Sequence, residues 1–133
     1  MKIWKKILIV LGIFLIMIIA FGVAFFFRAR QMVKRIESVE INDVDLAQIA
    51  DGVYAGEFGD FLVDVQLEVT VKDHKIEKIE IIKQRSGPGY EAIETIDRII
   101  DAQSPKVDVV TGATGSSRSI MIAVQSALTG EKY

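Results

Sequence analysis

Phe61-Leu62-Val63-Asp64-Val65-Gln66-Leu67-Glu68-Val69-Thr70-Val71-Lys72 sets apolar side chains at positions 61, 63, 65, 67, 69 and 71 and polar ones at 64, 66, 68, 70 and 72. Successive side chains of a strand point to opposite faces, so this period of two reads as a strand with one face buried and one wet. Asp73-His74-Lys75 is short enough to return the chain into an antiparallel neighbour, Ile76 to Lys83. His74 reads as a solvent-exposed turn residue, because His is among the residues that tolerate positive φ. Upstream, Gly59-Asp60 marks the turn out of a short first strand, Val53 to Phe58.

Beyond the strands, Ser86-Gly87-Pro88-Gly89-Tyr90 is a loop, followed by a helix from Glu91 to about Gln103 with Ile93, Ile96, Ile99 and Ile100 on one face. Gly87-x-Gly89-x-x-Ala92 fits a dinucleotide fingerprint, but the strands read as antiparallel and leave no room for the βαβ unit that gives that fingerprint meaning. After Pro105, Val107 to Val110 reads as a strand that breaks into the turn Thr111-Gly112-Ala113-Thr114-Gly115. A helix follows, capped by Ser116 or Ser117, with Ile120, Ala123, Val124, Ala127 and Leu128 on its apolar face and Gly130 at its C-terminal cap. A turn poor in side chains that meets a helix N-terminus can cradle a phosphate on its unpaired N–H groups. Taken bare, the same turn reads first as an ordinary strand-to-helix connection, since capping residues are commonplace.

Asp108, Thr111, Gly112, Ala113 and Thr114 match the Asp-x-x-Ser/Thr-Gly-Ala-Thr motif, and Asp51-Gly52-Val53-Tyr54-Ala55-Gly56 resembles the Asp-Gly-x-Tyr-x-Gly opening of the same domain. On these residues the chain resembles the FMN-binding domain family, found in the sodium-translocating NADH:quinone oxidoreductase and its relatives. His74 departs from the family, which usually has Gly there. The resemblance implies FMN attached covalently to Thr114 through a phosphoester bond. It also implies a separate FAD-dependent, Mg-dependent flavin transferase that recognises Asp108 and the Thr-Gly-Ala-Thr turn. Thr111, Gly112, Ala113, Gly115 and Ser116 would then surround the phosphate. Gly87 and Gly89 would let their loop pass close to the flavin ring, with Tyr90 as a wall, unless that loop is a plain turn. Arg85 and Arg118, the cations nearest these loops, would pair with phosphate or reduced flavin or else stay solvated.

All 18 acidic residues lie after Ile36, whereas seven of the 16 basic ones lie before it. The remainder carries nine basic against 18 acidic groups, net −9, which argues against nucleic acid as a partner. The chain has no cysteine and one histidine, so thiolate, iron–sulfur and His-rich metal sites are excluded and any redox centre must be an organic cofactor. Ile7 to Phe27 is a run of 21 uncharged, overwhelmingly apolar residues, long enough as a helix to cross a hydrocarbon core of about 30 Å. The run ends in Phe25-Phe26-Phe27-Arg28, without the small-residue site of a cleaved signal peptide, so a retained anchor is expected. Cations on both sides of it leave the orientation undecided by charge.

The expected organisation is a short tail at 1–6, a transmembrane helix at 7–27, a membrane-proximal connector at 28–50 and an FMN-binding domain at 51–133. The expected fold class is α+β: a twisted, mainly antiparallel sheet with the Glu91 and Arg118 helices packed on one face, plus the N-terminal transmembrane helix. By the resemblance the protein is an electron carrier rather than a stand-alone enzyme, held by membrane lipid. Its domain would lie outside the cytoplasm and serve membrane or extracytoplasmic redox partners. The alternatives are an anchored scaffold module without flavin and a small reductase with loosely bound FMN.

Overall fold

The computed structural model describes residues 2–87 and 91–133. Helix α1 runs Lys2–Ser38, and the chain divides into two compact units, one ending at Gln31 and the other spanning Met32–Tyr133. In the first unit the large apolar side chains from Ile7 to Phe27 are exposed. Among the described residues this is the one helix long and apolar enough to cross a membrane, and a helix meets the requirement that every backbone polar group be paired internally.

The second unit is α+β. Strands β1 (Gly52–Gly59), β2 (Asp64–Lys72) and β3 (Lys75–Arg85) form an antiparallel sheet in the order β1-β2-β3. The alternation read from the sequence is realised from Asp64 on, with Phe61 to Val63 in the turn that Asp60 and Val63 close: Val65, Leu67, Val69 and Val71 are at most 1% exposed, while Glu68 and Lys72 stay exposed. Each such side chain contributes about 1.5–3 kcal/mol by leaving water. The β2–β3 loop has two residues, Asp73 (φ 51°) and His74 (φ 61°), and two consecutive positive φ values are the mark of a type I′ turn. His74 is exposed there, as expected.

Helix α2 (Glu94–Ala102) begins three residues later than the sequence suggested, and α3 (Thr114–Thr129) lies against β1 and β2. Gly56 permits this approach, since a methyl group at that position would sit 2.0 Å from the Ala123 carbonyl oxygen. Helix α3 is buried well beyond one face: Met121, Ile122, Gln125 and Ser126 are covered as well as the expected stripe. Part of that cover comes from the segment expected as a connector, whose Ile36 and Ile41 enter the core. Gln125 bonds this segment directly, accepting from Asn42 N–H (2.7 Å) and donating to Glu40 O (3.0 Å).

Two expectations are corrected. Val107 to Val110 is not a strand: Arg98 Nη1 donates to the carbonyls of Asp108 (3.1 Å) and Val109 (2.9 Å), so a side chain takes the bonds a sheet partner would have taken. Nor do Ser116 and Ser117 cap α3, because the helix starts at Thr114 and both serines lie buried within its first turns. At the other end Gly130, with φ 74°, closes the helix as expected, its N–H reaching Ser126 O at 2.9 Å.

Candidate functional site

The turn before α3 is shaped by two backbone features. Gly112 takes φ +80°, which L side chains rarely adopt, and Ala113 N–H closes onto Val110 O at 3.0 Å. The first helical bond of α3 is Ser117 N–H to Ala113 O, 2.9 Å, so the amides of Thr114, Gly115 and Ser116 precede it. No side chain caps them, and a methyl group added at Gly112 or Gly115 would meet no non-neighbouring atom within 4 Å. Uncapped amides at a helix N-terminus favour an anion by direct bonding and by the helix dipole.

Gly112, Ala113, Thr114, Gly115 and Ser116 all line one cavity of about 270 Å³. Met32, Val33, Ile36 and Glu37 from the last turns of α1, with Val63 and Arg118, complete its lining. The lining thus joins the backbone donors of the turn to apolar side chains of α1, with Glu37 and Arg118 as its charged members. Ligand pockets are usually about 300–1,000 Å³, so a large cofactor here would keep part of its surface outside the protein. A larger depression of about 420 Å³ beside β1 and the end of α3 is lined by Ala55 and Gly56 of the opening motif but by none of the residues of the 111–115 turn.

The remaining expected residues fall in different places. Thr111 is exposed beside the turn, outside the cavity lining. Asp108 is exposed in a separate, open polar depression with Arg98, Asp101 and Lys106. Gly87 is exposed and does not line the cavity, while Gly89 and Tyr90 lie outside the described residues. Arg85 Nη2 reaches the carbonyls of Asp60 and Phe61, each at 3.4 Å. Arg118, although it lines the cavity, donates from Nε to Ile36 O (3.2 Å) and from Nη2 to Val39 O (2.8 Å).

Sequence reasoning missed the contribution of α1 to this cavity. A signal was present: Met32, Val33, Ile36 and Val39 keep a helical apolar spacing past the end of the membrane-length run, which a mere linker has no need of. Arg98 was missed as well, and nothing local marks it, since its role depends on a loop ten residues away in sequence.

Residues 62–129, more than half of the chain, match the family model described as FMN-binding domain. An uncharacterized protein of Treponema pallidum (strain Nichols) is 33% identical over 85 residues, an overlap that covers 62% of this chain and 24% of that relative. The chain therefore spans about a quarter of the length of the curated relative it matches.

Proposed function

The chain belongs to the FMN-binding domain family, and from that premise we propose a membrane-anchored flavoprotein that carries FMN as a phosphoester on Thr114 and passes electrons between other proteins or carriers. The observation that supports it most strongly is the single cavity shared by the exposed Thr114, three uncapped amides and apolar side chains of α1. Gly112, Ala113, Gly115 and Ser116 hold the phosphate end on main-chain donors, and Thr111 supports the turn. Gly87 borders the exposed part of the ring. Bound FMN supplies the redox chemistry, while the chain holds and orients it.

Thr114 acquires the group from a Mg-dependent flavin transferase that docks on Asp108 and the turn. Thr114 Oγ1 forms the new P–O bond to the FMN phosphorus of FAD. The P–O bond to AMP breaks, AMP leaves with the bridging oxygen, and a base of the transferase takes the hydroxyl proton. A covalent tether suits a cavity too small to enclose the cofactor, because retention no longer depends on non-covalent affinity. The helix of residues 7–27 anchors the protein in the cell membrane as a single pass, with the domain on the extracytoplasmic side.

Flavin fluorescence after denaturing electrophoresis tests this reading, on full-length protein made together with a flavin transferase. A fluorescent protein band is the expected result. Flavin that runs free of the protein would favour the loosely bound reductase, and no flavin at all the scaffold.

A further inference from the structure

The cavity that Thr114 lines is also lined by the turn of α1 that directly follows the first compact unit. Resting on the flavin reading above, we propose that this turn, Met32 to Glu37, is the surface on which the isoalloxazine of the Thr114-bound FMN lies. Val33 is a direct contact and Arg118 is the positioning residue that holds the wall.

The apolar side chains of this wall, Met32, Val33 and Ile36 beside the carboxylate of Glu37, carry the first part. Ile36 is 2% exposed and belongs to the core, whereas Val33, three residues earlier on the same helix, is 47% exposed while lining the cavity. Unlike an apolar side chain exposed on an open surface, Val33 lines a cavity and so offers a flat ring a place to lie. The group tethered at Thr114, in the same cavity, is within reach to occupy it.

The second part is that the wall is braced. Arg35 Nη1 bonds Gly59 O (3.1 Å) and pairs with Asp60 (3.0 Å), Arg35 Nη2 bonds Tyr133 O (2.8 Å), and Leu62 N–H meets the Met32 sulfur at 3.2 Å. Arg118 adds its two bonds to Ile36 O and Val39 O. Thr114 and Arg118 are four residues apart on α3 and so share a helical face. The residue that bears the tether and the residue that fixes the wall are therefore set by the same element, and ring and wall keep a constant relation.

The test uses full-length protein co-produced with a flavin transferase and kept in detergent, with covalent FMN quantified by intact mass. Val33→Trp would place an aromatic ring against the flavin and is expected to quench its fluorescence severalfold. Val53→Trp, at an exposed β1 position outside the cavity, is expected to leave it unchanged. Val33→Ser should make the flavin more accessible to iodide. Arg118→Ala should do the same, and Arg118→Lys should restore part of the protection. If every variant carries covalent FMN but Val33→Trp is as bright as Val53→Trp, the inference is overturned alone. Unchanged iodide access in Val33→Ser has the same consequence and serves if the Trp variant does not accumulate. Parent protein without covalent FMN overturns the flavin reading itself and this inference with it.

Discussion

Ser117 is fully buried, and its hydroxyl is engaged on both sides: it accepts from Val110 N–H at 2.9 Å and donates to Ala113 O at 2.7 Å. Ser119 Oγ likewise donates to Gly115 O at 2.7 Å. These bonds leave Ser117 and Ser119 as structural groups, Ser116 is buried, and among the hydroxyls near the turn only Thr111 and Thr114 are exposed. Ser117→Ala should therefore lower stability by about 1 kcal/mol, because the part-buried Val110 N–H loses its acceptor. Denaturant unfolding in detergent checks this, and covalent flavin should persist in the variant; an unchanged midpoint would contradict the role assigned to Ser117. That role was not legible in the sequence. Serine is favoured as a cap and, within a helix, also bonds back to the carbonyl four residues earlier, and only the position of Ala113 decides between the two.

At the scale of elements, the period-two strand and the Asp73-His74 turn were legible because their cause is local: alternation and positive φ are properties of adjacent residues. Val107 to Val110 misled because β-branched residues fit any extended backbone, and what fills their hydrogen bonds is Arg98 on α2. The apolar stripe of α3 was visible, but its burial on the remaining sides depends on the residues of 36–49 that fold over it. Gly56 shows the same dependence, since nothing in the strand's own pattern requires glycine. Gly56→Val should drive a side chain into the Ala123 carbonyl and cost about 1–3 kcal/mol by overpacking. Thermal unfolding that matches the parent would show that α3 can move off β1 without penalty.

For the whole molecule, the resemblance carried by Asp108 and the Thr-Gly-Ala-Thr turn reached the family directly, whereas the α1 lining of the cavity emerged only in the folded chain. The proposed orientation, N-terminus inside and the FMN-binding domain outside, predicts that protease added to intact cells removes the domain. Full protection, with the membrane verified intact, would reverse it. The central claim is that Thr114 and no other hydroxyl bears the flavin. Cleavage after Lys106 and Arg118 releases Val107 to Arg118 as one peptide, in which Thr111, Thr114, Ser116 and Ser117 are separable by fragmentation. Mass spectrometry of that peptide should show the mass of FMN less one water on Thr114. Thr114→Ala should lose the addition entirely while stability changes by only about 0.5 kcal/mol. The same mass on Thr111, Ser116 or Ser117, or a peptide that stays unmodified after co-production with the transferase, would contradict the account.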